Sequence, residues 1–251
     1  RPEVLAWLVE LMQKVRVWGF GYAKLDFLYA GALPGMRGSG MPREAAYRNA
    51  LRVMREALGD AYLLACGAPV FPSIGVCDAM RIGPDVAAAW DLPRDSRLLA
   101  NYATPGGRNA VRTTVHRLWL APLCHVDPDV TYFRTHRCAM GAAEKGLLRD
   151  LALVCGFKAT SDIPAWLAPD ERSDLLAFLA ARPQVERSGR YTFALDGRQV
   201  DVSSAVPLPA PRRLAGAAIG WLAGRAAVLR QFDRLQRRAL ARMVREEFAG
   251  S

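Results

Sequence analysis

Gly21-Tyr22-Ala23-Lys24-Leu25-Asp26-Phe27-Leu28 opens a segment that reads as a β-strand from Tyr22 to Tyr29. Side chains alternate along a strand, so Lys24 and Asp26 point to the same side. Upstream, Leu5, Leu8, Leu11, Met12 and Val15 recur at helical spacing over Val4–Val15, and Gly19-Phe20-Gly21 stops that helix. Downstream, residues 42–58 read as a second helix. Pro42 sits near its start, Ala45, Leu51, Met54 and Leu58 mark one face, and Gly59 follows its end. Ala61–Cys66 is a short apolar run ending at Gly67, which fits a buried strand. Further strands are expected at 77–82, Leu118–Leu123 and Phe157–Thr160. They alternate with helices at Asn109–Arg117, Ala142–Val154 and 169–181. Such alternation marks parallel βα units and the α/β class.

The strand ends carry the unusual residues: Lys24, Asp26, Cys66, Asp78, Asp85, Asp127, Asp129 and Asp162. In a (β/α)8 TIM barrel, chemistry collects at the C-terminal ends of the strands. About five strands are legible up to residue 165, whereas a closed barrel needs eight. The expectation is the later βα units of such a barrel over residues 1–183. The style then changes. Tyr191–Leu195 and Arg198–Val202 flank Asp196-Gly197, a turn dipeptide between alternating runs, so residues 184–206 should hold a β-hairpin. Pro207, Pro209 and Pro211 form a linker, and residues 213–248 read as a basic helical tail within a last segment, 207–251. No internal repeat stands out.

Composition narrows the class of partner. The net charge is +10, but nine arginines between Arg212 and Arg245, against Asp233, Glu246 and Glu247, supply most of it. The body of the chain is nearly balanced, so no nucleic-acid partner is expected. The tail helix reads as a packing helix with a solvated basic face, and membrane association by it is not expected. No apolar run reaches the length of a membrane span. The five cysteines have no CxxC pair and an odd count, so reduced and mostly buried thiols are expected, in a cytoplasmic protein. His116, Cys124, His125, His136 and Cys138 lack metal-site spacing, and no metal or other cofactor is expected. The chain opens on Arg1 without a secretory signal, which fits a processed or truncated product.

Two segments carry chemistry. A Lys and an Asp on one side of a buried strand are costly unless they pair or function. They fit either a buried ion pair or a carboxylate that a cation keeps ionised. The second segment runs from Cys66-Gly67-Ala68-Pro69 to Gly75-Val76-Cys77-Asp78-Ala79-Met80-Arg81-Ile82-Gly83-Pro84-Asp85, with Trp90 following. Glycoside cleavage needs two carboxylates across one bond, cationic groups for the hydroxyls and an aromatic surface for the apolar sugar face. Asp26, Asp85, Lys24, Arg81 and Trp90 match that set.

The runs GYAKLDFLYAGALPG (residues 21–35) and AYRNALRVMREALGDAYLLACGAPVFPSIGVCDAMRIGPDVAAAW (residues 46–90) resemble the melibiase-type α-galactosidases, glycoside hydrolase family 36 of clan D. The likeness is strong over residues 17–92, weaker to about 165, and fades beyond about 185. It implies Asp26 as nucleophile and Asp85 as general acid and then base, in a double displacement with net retention. It further implies Lys24 and Arg81 on the sugar hydroxyls and Cys66 on the pocket floor; Gly67 beside it is expected to bind substrate, and Asp78, the nearest rival to Asp85 but out of phase with the Arg-x-x-x-Asp spacing, is expected as a supporting residue there. The substrate implied is a terminal α-D-galactosyl residue of a raffinose- or melibiose-type oligosaccharide, with homo-oligomerisation left open. Two departures stand against the pattern. Earlier barrel strands, which grip other sugar hydroxyls in that family, are not in the chain. The usual Trp-Leu-Asn-Asp-Pro-Asp block is replaced by LAPLCHVDPD over residues 120–129, where Asp127 and Asp129 should cap a strand or shape the pocket. The alternatives are an α-glycosidase with another sugar preference, or a catalytically silent carbohydrate-binding or scaffold fragment.

Overall fold

The computed structural model describes residues 1–33, 40–91 and 104–207. The expected tail helix lies outside the described residues. The chain divides into two compact units, one of Arg1–Ile82 with Trp119–Asp127, the other of Gly83–Leu118 with Pro128 onward.

The first unit is built on parallel strands. Helix α1 spans Pro2–Val17 and packs along α2, Arg43–Leu58. Tyr47, Leu51, Met54 and Leu58 are the buried stripe of α2, at the i, i+4, i+7, i+11 positions that one helix face presents. Gly59, at φ 71°, ends the helix in a conformation open to a residue without a Cβ. Strands β1 (Tyr22–Leu25), β2 (Tyr62–Ala65), β3 (Ala79–Arg81) and β4 (His125–Asp127) form one parallel sheet in that order. A short helix, α3 (Val70–Ser73), lies between β2 and β3. Leu63, Leu64, Ala65, Ala79, Met80 and Val126 are all buried, as parallel strands covered on both faces should be.

The second unit holds α4 (Gly107–Arg117), α5 (Ala142–Cys155) and α6 (Pro169–Ala180). An antiparallel sheet of β5 (Val185–Arg187), β6 (Thr192–Leu195) and β7 (Arg198–Asp201) completes it. Its core joins Val86, Val111, Val115, Tyr132, Leu148, Leu151, Phe193, Leu195 and Val202. Beside that core lies a polar lattice. Arg134 and Asp162 pair at 3.5 Å with side chains essentially out of solvent, and the guanidinium stacks over the rings of Tyr132 and Trp166. Lys145 donates to the Phe133 and Arg134 carbonyl oxygens, and the Asp162 carboxylate accepts from the Phe133 N–H.

The α/β expectation stands: parallel barrel-type strands, then an antiparallel hairpin at the expected Asp196-Gly197 turn. Three details differ. The first strand ends at Leu25, because Phe27 turns into the left-handed region at φ 54° and a 3-10 helix takes over at Leu28–Ala32. Leu118–Leu123 is not a strand. Leu118–Leu120 is a 3-10 turn, and the strand begins at His125. Apolar content alone does not separate such a turn from a buried strand. Phe157–Thr160 contributes one parallel bridge, Thr131 to Thr160.

Candidate active site

In the first unit, register gathers the polar residues. Lys24 pairs with Leu64, Leu25 with Ala65, Ala65 with Met80, and Arg81 with Asp127. Carried one step further, the same register sets Cys66 beside Arg81. By alternation, Lys24, Asp26, Cys66, Arg81 and Asp127 share one face at the C-terminal edge of the sheet. Past the last ladder pair, the Leu28 and Tyr29 N–H groups donate to the Cys66 and Gly67 carbonyl oxygens at 3.2 and 2.8 Å. Gly67 has φ 59°, and a Cβ there would lie 3.3 Å from the Tyr29 ring and 3.6 Å from the Phe27 backbone. The glycine therefore permits both the turn and the close approach of the two strand ends.

Asp26 is exposed at this corner, and its Oδ1 accepts the Phe27 N–H at 2.7 Å. Partial burial works against its ionisation. The Cys66 thiol, the Phe27 N–H, Lys24 and Arg81 together outweigh that and hold the carboxyl below its ordinary value of 3.8. The coupling is mutual. Burial, and then the hydrogen bond to Asp26, push the Cys66 thiol up to about 12, against the pull of Arg81 and Lys24. Cys66 is therefore a thiol donor and Asp26 an ionised acceptor over ordinary pH. Arg81 is nearly buried, and its Nη1 stands 3.9 Å from the Asp127 Oδ2, both side chains 3% exposed. A guanidinium at that burial needs a counter-charge, and Asp127 supplies it.

In the second unit, Asp85 is exposed on a loop between β3 and α4. Its carbonyl oxygen accepts the Gly106 N–H at 3.0 Å. Val86, the next residue, is buried in the core, and its N–H donates to the Asp129 Oδ2 at 2.7 Å. Among the described residues, no group of three His, Cys, Asp or Glu side chains gathers as a metal site would.

Two solved structures of the α-galactosidase from Thermus thermophilus resemble this chain. One, in complex with p-nitrophenyl α-D-galactopyranoside, is 50% identical with a TM-score of 0.75, covering 82% of this chain and 42% of that one. The other, in complex with stachyose, is 53% identical with a TM-score of 0.66, covering 72% and 38%. This chain is a homologue of the melibiase-type α-galactosidases. It spans about two fifths of the length of the Thermus enzyme. The α-galactosidase I of Mortierella vinacea, 13% identical with a TM-score of 0.50 over 73% of this chain and 50% of that one, shares the fold. No protein-family model matches the chain.

Two residues expected at the sugar site of this galactosidase homologue, Asp78 and Trp90, make contacts within their own units. Asp78 precedes β3, at the opposite edge of the sheet from Asp26, and three residues from Arg81 it points to the other face. Its Oδ2 accepts from Arg55 of α2 at 2.8 Å and from the Leu63 N–H at 2.7 Å. It ties the helix to the sheet. Trp90 packs on the start of α4, where a Cβ at Gly107 would fall 2.7 Å from its ring, and Arg108 lies over it at 5.6 Å. Its ring is engaged by protein on an edge and a face. Sequence reasoning left the role of Asp127 open. Its position opposite Arg81 across β3 and β4 could not be read while the strand was set seven residues too early.

Proposed function

We propose that the chain carries the nucleophile and the general acid/base of a retaining α-galactosidase. The observation that carries the reading is the Asp26 corner: a carboxylate at a parallel strand end, kept ionised by a thiol, an N–H and two cations. A nucleophile must be ionised before it meets the anomeric carbon, and this one is. In the first step Asp26 attacks the anomeric carbon while Asp85 protonates the leaving oxygen. In the second, Asp85 takes a proton from water as the water oxygen bonds the anomeric carbon and the ester bond to Asp26 breaks, which frees the sugar with its configuration retained. Lys24 and Arg81 bind sugar hydroxyls, with Asp127 holding Arg81 in place, and Cys66 and Gly67 line the pocket floor. The substrate class is a terminal α-D-galactosyl group on an oligosaccharide. No cofactor takes part, and the compartment is cytoplasmic. The likeness to the Thermus enzyme, solved with p-nitrophenyl α-D-galactopyranoside and with stachyose, supports the same substrate class.

The test is release of p-nitrophenol from p-nitrophenyl α-galactoside by folded chain, with the anomeric form of the first product followed by NMR. α-Galactose as first product, and turnover abolished in Asp26→Asn, are expected. Turnover that survives Asp26→Asn, or β-galactose as first product, would overturn the mechanism.

A further inference from the structure

Asp85 stands exposed while its neighbour Val86 is 5% exposed and packed in the core of the second unit. The peptide plane between them is held at both poles. Its oxygen accepts the Gly106 N–H at 3.0 Å, and its N–H donates to the Asp129 Oδ2 at 2.7 Å. The next carbonyl oxygen, that of Val86, accepts the Tyr132 hydroxyl at 3.3 Å. Fixing a peptide plane at both poles fixes the preceding Cα and its Cα–C bond, so the side chain on that Cα swings only about its own ψ and χ angles. The anchor point of the Asp85 side chain is therefore set from Gly106 on one side and, on the other, from Asp129 and Tyr132, more than forty positions along the chain.

Asp129 is itself unusual. It is 8% exposed and adopts φ 82°, in a region that residues with a Cβ rarely occupy. That turn brings its carboxylate onto the Val86 N–H, a bond glycine at the same position would be unable to make. The segment after it is rigid. Thr131 donates to the Ala159 oxygen, Arg149 binds the Tyr132 oxygen, and Asp162 holds the Phe133 N–H. We propose that Asp129 and Tyr132 are positioning residues that aim Asp85. They hold its carboxyl on one line for its two tasks, giving a proton to the leaving oxygen and taking one from water. The inference rests on the reading of Asp85 as the acid/base.

The test compares Asp129→Ala, Asp129→Asn and Tyr132→Phe with Asp85→Ala on two substrates. Phenyl α-galactoside carries a poor leaving group, phenol, whose departure needs the acid; the dinitrophenolate of 2,4-dinitrophenyl α-galactoside departs without it. A mis-aimed acid should lower kcat/KM for the phenyl substrate about 10–100-fold, part of the full general-acid effect. The dinitrophenyl value should stay within about threefold, because that bond breaks without proton donation. Added azide should raise kcat by taking the place of the activated water. Asp129→Asn, whose amide oxygen can still accept from Val86, should fall between wild type and Asp129→Ala. Equal losses on both substrates, or none, overturn the proposal. Leaving-group dependence in Asp85→Ala but in neither Asp129 variant nor Tyr132→Phe overturns the positioning role alone. Its absence from Asp85→Ala overturns the acid/base assignment beneath it. Amide hydrogen exchange gives a readout independent of turnover. Asp129→Ala should speed exchange at Val86 about tenfold or more with Val111 and Leu148 unchanged, and an unchanged Val86 rate overturns the clamp even in a chain without activity.

Discussion

The two proposed catalytic carboxylates are held by different means. Asp26 sits at the end of a strand, and ladder register brings Cys66, Arg81 and Lys24 onto its face. Asp85 sits on a loop, and side chains from Asp129 and Tyr132 hold the backbone beside it. A nucleophile has one task and one target, and a regular strand end fixes it with few parts. An acid that becomes a base must return to the same oxygen twice. Its loop is fastened by hydrogen bonds to buried side chains, which tolerate substitution less well than a ladder does.

The largest effect should separate the chemistry of Asp26 from the architecture around it. Asp26→Asn should cost at least about 10⁴-fold in kcat, the scale seen when a nucleophile or its equivalent is removed, and leave the melting temperature within about 2 °C. A large drop in melting temperature would show that the strand-end corner depends on its charge. Next, Asp162→Ala should destabilise the second unit by about 3–5 kcal/mol in denaturant unfolding, because Arg134 is left buried without its counter-charge. An effect under about 1 kcal/mol would show that the rings of Tyr132 and Trp166 suffice to hold the guanidinium.

Much of the first unit was legible because its signals are local. The α2 stripe, the β2 apolar run and the Lys24/Asp26 alternation each sit within a few residues. The Asp85 clamp was not legible, because its side-chain partners Asp129 and Tyr132 lie more than forty residues along the chain and become neighbours through tertiary packing. Asp78 failed for a simpler reason. It lies three positions before Arg81, so alternation alone puts the two on opposite faces. The β4 strand was set early because Leu118–Leu120 is as apolar as a buried strand, while His125-Val126-Asp127 carries two polar residues.

Smaller effects sharpen the same contrast. Asp78→Ala should cost about 1–2 kcal/mol of stability through the lost tie to Arg55 and Leu63, a figure reduced for the partial exposure of the carboxylate. It should leave KM unchanged. A raised KM would return Asp78 to the sugar site. The smallest effect is electrostatic. The folded carboxyl of Asp26 is depressed, so its ionised form contributes to the fold above the unfolded value and is lost as pH falls through the folded one. Removing the thiol donor in Cys66→Ala should move that titration upward, because burial then meets less opposition, as followed by NMR of the Asp26 carboxyl. A titration that does not move would assign the depression to Lys24, Arg81 and the Phe27 N–H alone.

The Cys66 thiol has a consequence for how the protein withstands its surroundings. Thiolates, and not thiols, are what alkylating agents and peroxides consume. A cysteine a hydrogen bond away from a reactive carboxylate would be a weak point if it were ionised. Here burial first, and then the hydrogen bond to the carboxylate, push the thiol up to about 12 and keep the proton on sulfur. Burial and the carboxylate together thus shield the cysteine that serves Asp26. Iodoacetamide at neutral pH should label the half-buried Cys124, Cys138 and Cys155 before it reaches this one.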